Sequence, residues 1–403
     1  MSSRSTHRLF LLSLAVALER TAAGLLATLG LFFLTEALGV PAPDALATLG
    51  AFQALTYLAG IAGGTLADRL IGRTPAMLCG AAALALGYAL LAAAPREQFL
   101  LPGLLLIVGH GLFKPSLAAE VGRVGAELAA EQWYYFAANV GLALGPILGS
   151  FAREVSGWPA AFGLAAVAVA LALPVLLGYR SLVSGTRDPR DNSSTDTTQR
   201  LRDAGRGSIQ ALVLLLVAVV VHGVAYHQVG GSLLLYASEL RSRKLYGALL
   251  SPSLFGALPA VFTVLLMPVI AAARRRHPRQ LAPQRQLLFG CAATAVGFAV
   301  LLIGEVLARA SEGKALALVL ALLVITIGEV LVLPTSLQLA TAALPARHRA
   351  LSAALWCAAV AAGQWFAGLV GGVFRDWPHP KFFALQALVA LGSGVVFLMG
   401  RDR

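Results

Sequence analysis

Charge is the scarcest ingredient of this 403-residue chain: Asp, Glu, Lys and Arg together make up 12% of it, about half the ~25% usual in soluble proteins. So few charged side chains leave too little polar surface for a water-soluble fold of this length, which excludes ordinary cytosolic, secreted and disordered classes. Cysteine is rare as well. Cys79, Cys291 and Cys357 lie far apart with no CxxC spacing, which argues against structural disulfides and zinc and leaves three small apolar residues. A Walker lysine loop, HExxH and GxSxG are all missing, so an ATP-driven motor or a hydrolase within this chain is not indicated. With no visible nucleophile–base pair or metal cluster, the chain does not read as an enzyme, and no cofactor is expected.

Apolar residues fill the gap: 58% of the chain, with a mean hydropathy of +0.78. They come in continuous runs rather than alternating ones, which excludes a β-barrel. A helical crossing needs ~20 mostly apolar residues, and twelve such runs can be drawn, at approximately 9–35, 43–66, 75–95, 98–119, 132–153, 159–179, 208–235, 252–273, 286–308, 314–341, 350–373 and 381–400. Short loops remain, without room for a folded extramembrane domain. The first run is too long for a cleavable signal and lacks a small-residue cleavage site, so it is expected to stay as the first helix.

One long polar segment, Arg180 to Gly207, falls between the sixth and seventh runs and reads as a flexible tether. The expected fold is therefore an all-α membrane protein of twelve transmembrane helices in two six-helix bundles, 1–180 and 208–403. A cytoplasmic linker, 181–207, joins them with no extra helix pair. In secondary transporters built this way the substrate sits near the midplane where the halves meet.

The net charge of +12 and pI near 10.3 invite a nucleic-acid reading, but the position of the charges answers it. Of 31 Lys and Arg, 20 fall on the N-terminus, the even-numbered loops and the C-terminus; nine fall on the opposite face, and Arg20 and Lys114 lie inside spans. The positive-inside rule then places both termini in the cytoplasm. A multi-pass protein of the cell (inner or plasma) membrane is expected, surrounded by lipid, monomeric and with no nucleic-acid partner.

A charge at the bilayer centre costs ~2.5–3.5 kcal/mol on insertion scales, so charges kept there tend to have a task or a partner. Glu19 and Arg20 stand in the middle of the first run, Lys114 in the fourth and Glu329 in the tenth. Two acids and two bases balance formally. They can neutralise one another around a central cavity, and protonation of a carboxylate can break one pairing and remake another. The plainer alternative is a set of structural ion pairs. Glu305, near the outer end of its run, reads as a boundary residue reaching the headgroups. His110 lies four residues before Lys114, on the same helix face, and either tunes the lysine, relays protons or is a satisfied interior histidine. His222 and His227 carry the same alternatives. Gly141, Gly145 and Gly149 form a small-xxx-small stripe suited to close helix packing.

The loop after the second run reads GGTLADRLIGRTP, which places Gly64, Asp68, Arg69, Gly72 and Arg73 in a GxxxDRxxGR pattern. It resembles the signature loop of the major facilitator superfamily, and the resemblance implies a gating role for Gly64, Asp68, Arg69 and Arg73. Within that superfamily, GHGLFKPSLAAEVGRV, WYYFAANVGLALGPILGS and GEVLVLPTSLQLATAALPARHRALSAALW are similar to the fourth-, fifth- and tenth-helix signatures of the proton-dependent oligopeptide transporter family. AYHQVGGSLLLYA resembles its seventh-helix motif more loosely, and ALERTAAGLLATLGLFFL is a decayed form of its ExxERFxYYG.

The resemblance implies a proton-coupling set of Glu19, Arg20, Lys114 and Glu329, with the proton gradient as energy source. It also implies a substrate-binding set of Tyr57, Asn139, Gln228, Glu329 and Trp356. Departures are concentrated in the peptide clamp. The first acid of ExxER is Val16, the aromatic pair falls at Ala23 and Gly24, the arginine that meets the peptide carboxylate in the family is Ala27, and the usual Asn-Pro of helix eight aligns with Pro259 and Ala260. A proton-coupled symporter of di- and tripeptides, or of a related small amine-bearing solute, is the expected function. An antiporter exporting a non-peptide amine is the first alternative, and a non-transporting membrane receptor the second.

Overall fold

The computed structural model describes residues 3–93, 99–124, 128–183, 206–240, 244–245, 248–249, 251–276, 282–308, 311–343 and 349–399. Twelve α-helices carry the chain: α1 Ser3–Phe32, α2 Ala42–Leu66, α3 Arg73–Ala93, α4 Leu100–Val124, α5 Leu128–Val183, α6 Arg206–Tyr226, α7 Ser232–Glu239, α8 Pro252–Arg276, α9 Pro283–Leu307, α10 Ser311–Ala343, α11 Arg349–Gly371 and α12 His379–Met399. A two-residue antiparallel pairing, β1 Lys244–Leu245 with β2 Ala248–Leu249, sits before α8.

Eleven helical stretches among the described residues are long and apolar enough to cross a membrane, and one of them counts twice. Helix α5 breaks at Ser156 and Gly157, where Gly157 takes φ +76 and ψ −169. That backbone region is open to glycine, and Pro159 follows to start the second arm. Its two arms correspond to the fifth and sixth sequence runs. Conversely, α6, a 3-10 turn at His227–Gly230 and α7 form one interrupted crossing. Among the described residues, twelve crossings result. The tether differs from the 181–207 expectation at its ends, because α5 continues to Val183 and α6 starts at Arg206. Its body, 184–205, lies outside the described residues, as do loop arginines 96, 279 and 347.

Large apolar side chains stud the outer helix faces, Leu86, Leu171, Leu265, Val296 and Leu388 among them, as a surface bathed in hydrocarbon requires. Inside, α1 packs along α5, α3 on α4 and α5, and α2 on α4; in the second half α9 packs on α10 and α12, and α6 on α11 and α12. The Gly141/Gly145/Gly149 stripe does what its spacing predicts. A Cβ on Gly145 would fall 2.1 Å from the Thr21 carbonyl oxygen and one on Gly141 2.3 Å from that of Ala17, so α1 and α5 touch backbone to backbone.

The two halves meet chiefly through α2 against α11 and α5 against α8. Their tightest contacts lie toward the membrane face opposite the termini. A Cβ on Gly368 would fall 2.5 Å from the Leu46 carbonyl oxygen, and the Ser150 and Ser253 hydroxyls share a hydrogen bond of 2.6 Å. One hydrophobic core there runs across both halves, from Leu31, Phe32, Leu46 and Leu49 to Leu234, Phe255, Phe298 and Phe374. Toward the termini, among the described residues, α4 and α10 do not pack extensively on each other.

Candidate functional site

A cavity of about 310 Å³ occupies the space between the halves below that seal. Clefts of this order hold small solutes. Helix α1 gives it Arg20, Ala23, Gly24, Ala27 and Thr28; α2 gives Gln53, Thr56 and Tyr57; α4 gives His110 and Lys114, and α5 gives Asn139. From the second half come Tyr226, His227, Pro259, Thr263, Glu329, Val360 and Gln364. The 3-10 turn between α6 and α7 lies at this depth, where non-α-helical backbone is tolerated because it lines a cavity.

The walls carry opposite charge. Arg20 and Lys114 stand on the first half, Glu329 on the second. Among the described residues neither Lys114 nor Glu329 has an ion-pair partner; Glu329 instead accepts a hydrogen bond from the Tyr226 hydroxyl. The Arg20 guanidinium in turn donates a hydrogen bond to the Tyr134 hydroxyl. The balanced foursome expected from composition is therefore not one network. Glu19 takes both partners on the first half, with Arg20 Nε at 3.3 Å and His110 Nδ1 at 2.9 Å, leaving one cation and one anion unspent on facing walls.

Glu19 itself is fully buried and absent from the cavity wall. It stands behind Arg20 and His110. Tyr57 and Asn139 line the cavity as expected, with Asn139 Nδ2 held 2.9 Å from the Tyr135 carbonyl. Two residues expected at the substrate lie elsewhere. Trp356 donates Nε1–H to Ser336 Oγ at 3.0 Å and packs in the cluster behind Tyr57 and Leu333, one layer from the wall. Gln228 donates to the Val224 and Ala367 carbonyls at 3.0 and 3.1 Å and accepts from Ser232 Oγ at 2.7 Å. It splints the break between α6 and α7, where freed backbone groups need partners, and borders a side crevice rather than the main cavity.

In the signature loop, Arg73 Nε donates to Asp68 Oδ1 at 2.8 Å, so this acid closes its own loop, turned by Gly72 at φ +84. Arg69 has no ion pair among the described residues and is exposed. Gly64 packs over Pro115 of α4, to which a Cβ would lie 3.2 Å. Glu305 is tied to Lys314 at 2.8 Å and to the Tyr236 hydroxyl at 2.5 Å, an outer-end cluster away from the cavity.

The family model of the Major Facilitator Superfamily matches residues 9–368. The chain belongs to that superfamily. It is a transporter of that class rather than an enzyme. Similar curated proteins include peptide transporter YePEPT of Yersinia enterocolitica, 24% identical over 83% of this chain and 80% of that protein. Dipeptide and tripeptide permease A of Serratia proteamaculans is 25% identical over 85% and 78%, respectively. Among solved structures, a POT family transporter in complex with 5-aminolevulinic acid superposes with a TM-score of 0.87 at 20% identity, covering 97% of this chain and 95% of that one. A peptide transporter POT in complex with sulfate gives 0.86 at 23% identity, covering 97% and 94%. At those identities the structures speak for the fold. The family model establishes the superfamily; the narrower resemblance to the oligopeptide transporters, carried by the GLFKP and GE…P motifs, bears on the function proposed below.

Sequence reasoning missed several wall residues. Gln53, Thr56 and Gln364 are neutral polar residues in apolar runs, and no charge drew attention to them. Tyr226 stood inside the seventh-helix motif, whose register was its only signal.

Proposed function

We propose that this chain is a proton-coupled symporter, working by alternating access, for di- and tripeptides or small amine-bearing acids of similar span. The observation that carries the reading is the main inter-half cavity with Lys114 on one wall and Glu329 on the other, neither ion-paired among the described residues. A zwitterionic solute supplies both missing partners: its amine to Glu329, its acid to Lys114. Asn139 and Tyr57 offer hydrogen bonds to an amide between those ends. Peptide-transporting relatives support this choice, and the neighbour bound to 5-aminolevulinic acid supports the inclusion of amino acids that have no peptide bond.

Coupling follows from competition for the same charges. Protonation of Glu329 loosens its claim on the substrate amine, while the buried Glu19 is reached from the cavity through His110, with Arg20 holding its charge. Binding energy that differs between the two orientations of the halves is what moves them. An inward gradient of 100 mV supplies ~2.3 kcal/mol per charge, enough for accumulation with one proton. With both termini in the cytoplasm of the plasma membrane, as the basic loops support, the closed end faces outside and the structure represents the inward-facing state. Rearrangement of Asp68, Arg69 and Arg73 at the end of α2, over the Gly64–Pro115 contact, then accompanies closure of the cytoplasmic side. The unit is a monomer that works with protons and substrate in the lipid bilayer, without a cofactor.

The second reading, export of a non-peptide amine by proton antiport, draws on Ala27 and on Pro259–Ala260, where the peptide-clamping residues of the family are missing. Counterflow into proteoliposomes separates the two. Exchange of labelled dialanine supports the first reading; exchange of labelled cationic amines with none of dialanine contradicts it.

A further inference from the structure

A small crevice runs off the closed end of the cavity between α2, the 3-10 turn after Tyr226 and α11. At about 20 Å³ it has room for one water-sized group. Gln53, His227 and Gln364 border both the crevice and the main cavity, so a bound solute can reach into it. Among the described residues none of these three side chains has a hydrogen-bond partner. Gln364 is the sharpest case: the residue is 6% exposed and its Oε1 is shut away with nothing to accept from. Buried polar side chains in folded proteins are overwhelmingly paired, and the neighbouring Gln228 shows the ordinary condition, with every side-chain polar atom bonded within the protein.

Three unpaired polar groups from three helical segments, converging on one opening, therefore have hydrogen-bonding capacity directed at something the protein does not itself provide. No Asp, Glu, Lys or Arg borders the crevice, so a charged group has no counter-charge there. Two carboxamides and an imidazole offer both donors and acceptors, the complement of another carboxamide or a hydroxyl.

We propose that Gln53, His227 and Gln364 form a subsite for a small neutral hydrogen-bonding group of the substrate, a carboxamide or hydroxyl, while its charged ends remain at Lys114 and Glu329. This rests on the transport reading above for the identity of the carrier molecule and extends it to side-chain preference. A site built to pair a polar group rejects the isostere without one, because its own groups are then left unsatisfied.

The test is competition against labelled dialanine uptake by glycyl-glutamine and glycyl-leucine, in wild type, Gln364→Leu and His227→Phe. The proposal predicts that glycyl-glutamine inhibits about tenfold more strongly than glycyl-leucine in wild type, as two net hydrogen bonds would give. In either variant the ratio, read on whatever dialanine uptake the variant shows, falls to about threefold or less. Equal inhibition in wild type, or an unchanged ratio in both variants, overturns it. Absence of any dipeptide uptake overturns the peptide reading instead. Thermal-shift titration of purified wild type and Gln364→Leu with L-glutamine and L-leucine then reads the subsite alone: a stronger wild-type response to glutamine, lost in the variant, supports it, and equal responses overturn it.

Discussion

Nδ1 of His110 lies 2.9 Å from Oε1 of Glu19, joining a carboxylate with no exposure to an imidazole on the cavity wall. In the coupling proposed above, His110 is the wall group through which a cavity proton would reach Glu19. Replacing His110 by Phe is expected to cut gradient-driven uptake roughly a hundredfold, the scale of a lost proton-transfer group, while counterflow exchange continues. Assay of both in the same proteoliposomes checks this; equal losses in the two assays would mean His110 only supports the fold.

The α1–α5 seam gives a stability prediction. A Cβ at Gly145 meets the Thr21 carbonyl oxygen at 2.1 Å, and backbone cannot yield as a side chain can. Gly145→Val is expected to destabilise the detergent-solubilised protein by at least the ~1–3 kcal/mol typical of overpacking, read as a lowered Tm and a smaller monodisperse fraction. Gly163→Ala, where nothing lies within 4 Å of an added Cβ, should leave both unchanged.

These contrasts show what was legible in the sequence. Hydrophobic runs set the crossings, and glycine spacing foretold a close helix contact along Gly141, Gly145 and Gly149 without naming its partner, because both signals are periodic along the chain. The Ser156–Gly157 break agreed with a boundary drawn between runs five and six. Charges inside apolar runs located Arg20, Lys114 and Glu329 on the cavity wall. What a linear pattern could not show is which side of a helix meets which neighbour. Glu19 and Arg20 are adjacent in sequence yet point to different depths, one sealed and one on the wall. Trp356 and Gln228 found partners in Ser336 and in the Val224 and Ala367 carbonyls, contacts fixed by tertiary packing. Neutral polar wall residues such as Gln53 and Gln364 had no signal strong enough to stand out.

The layer behind the wall yields a discriminating mutation. Trp356→Phe removes the hydrogen bond to Ser336 and should cost ~0.5–1.5 kcal/mol of stability with substrate preference unaltered. Competition assays with a panel of dipeptides check it. A changed preference order would place the indole at the substrate after all.

The seal opposite the termini is the contact that has to part when the halves rock. Ser253→Ala deletes its cross-half hydrogen bond with Ser150, worth ~0.5–1.5 kcal/mol. The open form on that side should rise about two- to tenfold relative to the closed one. Distance distributions between spin labels beside the Ser156–Gly157 break of α5 and at the N-terminal end of α8 report the populations, and an unchanged distribution would show that the apolar core alone holds the seal.

Glu329, without an ion-pair partner among the described residues and on the wall opposite Lys114, is the centre of the account. Uptake of labelled dialanine into proteoliposomes, with and without an imposed inward proton gradient, tests it most directly in wild type and Glu329→Gln. Wild type should accumulate substrate only with the gradient, and the variant should show no response to it. Undiminished gradient-driven uptake by Glu329→Gln would contradict the role assigned to this carboxylate.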